Sequence, residues 1–284
     1  MLAAAAAGLA IVVALLFSTR SEPNAIPDAG QSLAHIHGLG VNPADNELYA
    51  ATHFGLFRVP PRGAPQRVSA AVQDTMGFTV VGADHFLASG HPDIRDQRLR
   101  GPGSPPLLGL IESTDAGRSW APLSLLGAAD FHSLAVAHGN VYGYDSTGSR
   151  FMVSPDRQQW ETRSTLVLGA FAVDPGDAEH VVASAEGGLL HSRDGGRNWQ
   201  FVEGPSLVVL SWGPQLGLWG VSAEGETYRY VEDGWELRRR LPGEPQALLV
   251  TEAELFAATT GPDGVAIHVS ADAAESWRLR YSEP

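Results

Sequence analysis

Ser192-Arg193-Asp194-Gly195-Gly196-Arg197-Asn198-Trp199 is the stretch whose reading decides the fold. Its spelling, S-x-D-x-G-x-x-W, returns as Ser113-Thr114-Asp115-Ala116-Gly117-Arg118-Ser119-Trp120. Two altered copies keep the plan. Ser270-Ala271-Asp272-Ala273-Ala274-Glu275-Ser276-Trp277 puts Ala at the Gly position, and Ser154-Pro155-Asp156-Arg157-Gln158-Gln159-Trp160 is one residue short. Each copy lies between two short apolar runs, as a hairpin turn does. In such a turn Asp accepts hydrogen bonds from backbone N–H groups and Gly supplies a positive φ. Trp starts the returning strand and packs beneath the turn. Copies at multiples of roughly forty residues indicate a repeat architecture.

Placing each copy between the third and fourth strands of a unit divides the chain from Leu33 onward into six units. The first holds strands near Ile36–Val41, Leu48–Thr52 and Leu56–Val59. The second holds Gly77–Val81, His85–Ala88, Leu107–Glu112 and Trp120–Leu123, and the third His132–Ala137, Val141–Tyr144, Phe151–Ser154 and Trp160–Arg163. The fourth holds Ala170–Val173, Val181–Ala185, Leu189–Ser192 and Trp199–Val202. The fifth holds Val208–Trp212, Leu216–Val221, Thr227–Val231 and Trp235–Arg238, and the sixth Ala247–Val250, Leu255–Thr259, Ala266–Ser270 and Trp277–Tyr281. Four short strands per unit, joined by polar turns, predict an all-β, six-bladed β-propeller.

The repeated turn resembles the Asp-box (BNR) repeat of sialidase-like β-propellers, on Ser113, Asp115, Gly117, Trp120, Asp156, Trp160, Ser192, Asp194, Gly196, Trp199, Asp272 and Trp277. A second resemblance is carried by His35-Ile36-His37-Gly38-Leu39-Gly40-Val41-Asn42-Pro43, by Ala51-Thr52-His53-Phe54-Gly55-Leu56-Phe57, and by Met76-Gly77-Phe78 with Ser89-Gly90-His91-Pro92. These segments are similar to a group of exported bacterial propellers labelled glycosyl-hydrolase-like or sialidase-like. A sialidase resemblance implies three Arg around a substrate carboxylate, a Tyr–Glu pair and an Asp acid. Here no Arg falls at an inner-strand start or a second-strand end; only Arg150 and the arginines of 91–106 reach that face. The chain is also similar to the propeller assembly factor of photosystem II, which implies a scaffold that binds a membrane-protein partner without catalysis. The label rests on fold, which hosts many functions.

Composition narrows the choices. With 284 residues the chain can bury a large single core. Every basic residue is Arg, so a Schiff-base lysine is excluded, and the absence of Cys excludes disulfides, thiolate metal sites and Cys nucleophiles. A formal net charge of −13 argues against nucleic acid as a partner. Residues 2–17 are an unbroken apolar run, read as an N-terminal hydrophobic helix within residues 1–20. No small-x-small cleavage site follows it, which favours an uncleaved membrane anchor over a signal peptide. Residues 21–32 read as a linker, and either way the propeller of 33–284 is placed outside the cytoplasm, in the periplasm or at the cell surface.

Blade geometry suggests where chemistry sits. The starts of the inner strands and the ends of the second strands share one face, opposite the repeated turns. Aligning inner strands on Leu39, Phe78, Leu134 and Phe171 puts His37, Met76, His132 and Gly169 on one rung, with His35, Asp74, Asp130 and Val167 two residues earlier. Second-strand ends add His53, His91, Asp145 and Glu186. His-x-His on a strand turns both imidazoles to one side, which suits chelation. His35, His37, His53, Met76, His91 and His132 are therefore candidate ligands of copper or zinc, copper being favoured by the thioether. The other histidines, His85, His138, His180, His191 and His268, scatter over turns and outer strands. The loop of 91–106, with Arg95, Arg98 and Arg100, reads as a lid, a docking surface or a solvated loop. The sequence thus points to a binding or scaffold protein whose partner is a membrane complex or a metalloprotein. The alternative is a glycoside hydrolase acting on a glycan through two of Asp74, Asp130, Asp145 and Glu186.

Overall fold

The structure is a computed structural model that describes residues 33–101, 105–232 and 234–283. The apolar run of 2–17 and the linker of 21–32 lie outside the described residues. Among those described, no helix is long and apolar enough to cross a membrane.

The described residues form six four-stranded antiparallel sheets, each built from consecutive strands. The first blade is β1 (Ile36–Val41), β2 (Leu48–Thr52), β3 (Gly55–Val59) and β4 (Gln66–Arg67). The second is β5 (Asp74–Gly82), β6 (His85–His91), β7 (Leu110–Ser113) and β8 (Ala121–Ser124). The third is β9 (Phe131–Ala137), β10 (Asn140–Asp145), β11 (Arg150–Ser154) and β12 (Glu161–Thr165). The fourth is β13 (Phe171–Asp174), β14 (Asp177–Ala185), β15 (Gly188–Ser192) and β16 (Gln200–Val202). The fifth is β17 (Val209–Gly213), β18 (Gly217–Val221), β19 (Thr227–Val231) and β20 (Gly234–Leu237). The sixth is β21 (Glu244–Val250), β22 (Leu255–Gly261), β23 (Gly264–Ser270) and β24 (Arg278–Ser282). The first strand of each blade contacts the first strands of both neighbours, and β1 contacts β21, so the ring closes. The six-bladed reading of the sequence holds. It had missed β4, whose two residues carry no apolar alternation.

Among the described residues, no strand is shared across the seam between blades six and one. Closure depends on packing and on a few long-range hydrogen bonds. Leu33, Ile36, Phe57 and Val59 share one buried layer with Phe256, Ala258, Val265 and Ile267. Burial of each of these side chains other than Ala258 contributes about 1.5–3 kcal/mol. Across the seam Leu33 N–H donates to Glu283 Oε1 at 2.7 Å, Ile36 N–H to Gln246 Oε1 at 3.0 Å, and an Arg280 guanidinium N–H to the Val59 carbonyl at 2.8 Å.

The repeated turns are hydrogen-bonded within themselves. In the second perfect copy Ser192 Oγ–H donates to Asp194 Oδ1 at 2.8 Å, and Gly196 N–H donates to Ser192 Oγ at 2.8 Å. The Asn198 backbone N–H reaches Asp194 Oδ1 at 2.8 Å, and its amide reaches Oδ2 at 2.6 Å. Hydrogen bonds from Asn198 are the largest cause holding the Asp194 carboxyl at about 2. The tryptophans depart from expectation: Trp120, Trp160, Trp199 and Trp277 each stand just before the outer strand, not in it. The indole is turned toward the preceding blade. Trp160 Nε1–H donates to Ser124 Oγ, Trp199 Nε1–H to Ser164 Oγ and Trp277 Nε1–H to the Arg239 carbonyl, at 2.9, 2.9 and 3.2 Å. These turns therefore join neighbouring blades as well as neighbouring strands.

Candidate functional site at the channel mouth

On the face opposite the repeated turns, the inner strands carry a recurring irregularity. The pairing of β1 with β2 passes from Ile36 to Gly38, that of β5 with β6 from Thr75 to Gly77, that of β9 with β10 from Phe131 to Ser133, and that of β21 with β22 from Pro245 to Ala247. The skipped residues are His37, Met76, His132 and Gln246. A β-bulge leaves one residue outside the ladder and re-aims its side chain. All four line the central channel, a space of about 620 Å³, together with Gly169 and Val208 of blades four and five. The rung expected from sequence is thus a ring around the channel mouth. Gln246 was missed because the sixth inner strand was taken to start at Ala247; extending the same alignment to blade six finds it.

The ring is chemically lopsided. Blades one to three and six supply polar or thioether side chains, whereas Gly169 and Val208 offer none that hydrogen-bonds. Val167, Val208, Val72 and Ile94, all before inner strands or in the β6–β7 connection, are exposed on this face.

In the polar half, three donor atoms meet. His37 Nε2 lies 3.2 Å from His53 Nδ1, His53 Nδ1 lies 2.9 Å from Asp74 Oδ1, and His37 Nε2 lies 3.5 Å from the same oxygen. The bulge turns His37 inward, the β2–β3 turn presents His53, and Asp74 opens β5 in the next blade. A single proton on His53 Nδ1 serves both short edges, donating to Asp74 Oδ1 and facing the lone pair of His37 Nε2. With that proton removed, all three atoms present lone pairs to one point, the arrangement in which a cation takes the proton's place. The separations bracket the ligand–ligand edge of about 3.3 Å in a tetrahedral site with bonds of roughly 2.0–2.1 Å. Partial burial raises the Asp74 pKa, but hydrogen bonds from His37 and His53 outweigh it and leave the carboxyl below its ordinary value. These residues form the one group of three or more metal-binding side chains found among the described residues.

His35 completes the cluster, its ring 4.6 Å from that of His37 and 5.4 Å from that of His53. Burial, then the neighbouring histidines, lower its pKa. His91 and His132 meet elsewhere, on the buried Asp130 of blade three. His132 Nε2–H donates to Asp130 Oδ2 at 2.9 Å, with His91 Nε2 3.5 Å and Ser146 Oγ 3.2 Å from the same oxygen. Asp74 pairs with His91 across β5 and β6, so the clusters are adjacent. Of the six expected ligands, His37 and His53 meet Asp74, His91 and His132 meet Asp130, and His35 and Met76 meet neither carboxylate. Met76 lines the channel beside His37 and His132.

Among the expected carboxylates, Asp145 is corrected and Glu186 stands where expected, at the end of its second strand. Asp145 is fully buried, and its oxygens are taken by Asp130 N–H, Thr147 Oγ–H, Gly148 N–H and Arg150 Nε–H, so it builds the β10–β11 turn. Glu186 is exposed in the β14–β15 turn. In the loop of 91–106, Arg95 pairs with Asp93 and Arg98 with Asp96, and Leu99, in a short 3-10 helix at Gln97–Leu99, is buried in the layer between blades one and two.

No protein-family model and no curated protein sequence matches the chain. Solved structures match it in fold. A gluconolactonase from Xanthomonas campestris superposes with a TM-score of 0.63 at 15% identity, over 88% of this chain and 87% of that one. A GH74 xyloglucanase from the same organism gives 0.56 at 15%, over 88% and 45%. YCF48 bound to a D1 peptide gives 0.53 at 16%, over 87% and 82%. At such identities the likeness establishes the propeller, whose neighbours include both enzymes and a peptide-binding protein.

Proposed function

We propose that this chain is an exported binding propeller that holds one transition-metal ion, zinc or copper, at its channel mouth on His37, His53 and Asp74. One observation carries the reading: two imidazole nitrogens and a carboxylate oxygen from two blades share a triangle with edges of 2.9–3.5 Å, the spacing of ligands around one tetrahedral ion. Two nitrogens and one oxygen, with no thioether among the three, suit zinc over copper(I). Three protein ligands leave a position open toward the channel, where a ligand or a partner's side chain completes the metal. The apolar run of 2–17 supports export, and the peptide-bound neighbour supports a role in binding a partner.

The test is metal analysis after chelation and reloading. Wild type is expected to hold roughly one zinc, His53→Ala and Asp74→Asn almost none, and His132→Ala as much as wild type, since His132 meets Asp130 and not Asp74. Equal, substoichiometric metal in all four proteins would sink the reading. Hydrolysis of fluorogenic glycosides abolished by Asp130→Asn would favour the hydrolase instead.

A further inference from the structure

Gln246 reaches the mouth from blade six, and its amide has one permitted orientation. Ile36 N–H donates to Oε1 at 3.0 Å. The other end of the amide is therefore NH2, and it stands 3.0 Å from Nδ1 of His35. An amide nitrogen only donates, so Nδ1 accepts, and an imidazole whose Nδ1 accepts carries its hydrogen on Nε2. Neither nitrogen of His35 then has a lone pair for a metal, although its ring stands against His37 and His53. The sequence motif His-x-His hides this difference; only the amide from the far end of the chain reveals it.

We infer that His35 is the hydrogen-bond donor of the mouth and not a ligand, and that the site binds a carboxylate-bearing molecule, one oxygen on the metal and the other accepting His35 Nε2–H. This rests on the metal reading above. A divalent ion held by two neutral imidazoles and one carboxylate keeps a net positive charge, which an incoming carboxylate neutralises. The rest of the ligand has room in the channel of about 620 Å³, beside Gly169 and Val208.

The experiment loads the full chain with cobalt(II), follows its visible absorption and titrates with acetate. Acetate is expected to bind wild type, and His35→Phe to weaken it roughly tenfold or more while cobalt still binds, the scale of one hydrogen bond to a charged group. Gln246→Glu provides a second arm. Its carboxylate accepts from both Ile36 N–H and His35, which moves the imidazole hydrogen to Nδ1 and frees Nε2 as a further ligand. Cobalt then binds more tightly and acetate more weakly. ¹⁵N shifts of His35 should report a bare Nδ1 in wild type and a protonated Nδ1 in Gln246→Glu. Cobalt bound but acetate absent or indifferent to residue 35, or Nδ1 protonated in wild type, overturns the inference alone. Failure of wild type to bind cobalt ends the metal reading and the inference together.

Discussion

The two faces of the propeller use carboxylates in opposite ways. On the face with the repeated turns, the hydrogen-bond partners of Asp194 are Ser192, Arg197 and Asn198, all within four residues along the chain. At the mouth, Asp74 is met by His37 and His53 of another blade, and Asp130 by His91 of another. The first arrangement is closed: donors and acceptors match, and nothing remains to bind. The second brings two imidazole nitrogens and a carboxylate oxygen from two blades within 3.5 Å of one another, which is what the proposed metal site rests on. Backbone hydrogen-bonding within a turn builds rigidity, whereas groups gathered from several blades build a site.

This contrast is broken most severely by crowding the closed arrangement. Gly196 has φ of 90°, and a Cβ there would lie 2.2 Å from Cε1 of Phe151 in the preceding blade. Gly196→Ala combines a left-handed backbone with an overpacked ring and is expected to cost about 3 kcal/mol. Chemical denaturation measures it, and a loss under about 1 kcal/mol would mean that the blades slide freely against each other.

The mouth should respond to metal where the turns do not. A ligand at a hundred times its Kd stabilises the folded state by about 2.7 kcal/mol, a rise in Tm of roughly 5–10 °C for a domain of this size. Zinc is expected to raise the wild-type Tm by that amount and to leave His53→Ala and Asp74→Asn unmoved. A rise shared by all three proteins would place the ion elsewhere.

The same contrast decides what the sequence discloses. The turns recur because each is encoded within eight residues, so the blade count is legible from Ser192–Trp199 and its copies. The bulge rung is partly legible, because aligned inner strands put His37, Met76 and His132 level. The grouping is legible only in part. His132 meets Asp130 two residues earlier in its own blade, whereas His37 and His53 meet Asp74, and His91 meets Asp130, through the stagger between neighbouring blades, which no spacing within a blade encodes. Asp145 departs for the reverse reason: a strand-end carboxylate beside Thr147, Gly148 and Arg150 satisfies its own turn, and that signal is local. Gln246 stands 211 residues from His35, and no local pattern predicts an amide that fixes a distant imidazole.

Smaller effects sharpen the picture of the turns as joints between blades. Trp199 Nε1–H donates to Ser164 Oγ in the third blade and to the Gly196 carbonyl. Trp199→Phe keeps most of the buried ring and removes the donor, and should cost about 1 kcal/mol. A double-mutant cycle with Ser164→Ala separates the interblade bond from the lost area: coupling near zero would mean that the indole stabilises by packing alone.

The smallest effect concerns the altered turn of blade six, where Ala273 and Ala274 adopt φ of 55° and 58° at the positions of Gly195 and Gly196. A non-glycine residue in that region costs roughly 1–2 kcal/mol, which glycine would relieve. Glycine in turn gives the unfolded chain more freedom, a loss of about 0.4–1 kcal/mol. For Ala273, only partly buried, the balance favours Ala273→Gly by about 0.5 kcal/mol. Ala274 is fully buried in a layer with Trp219, Val250 and Leu255, and deleting its methyl forfeits about 0.8 kcal/mol more. Ala274→Gly should therefore lie near zero or below. Paired urea melts test the order of the two variants, and a larger gain at 274 than at 273 would show that strain, not the interblade contact, governs this turn.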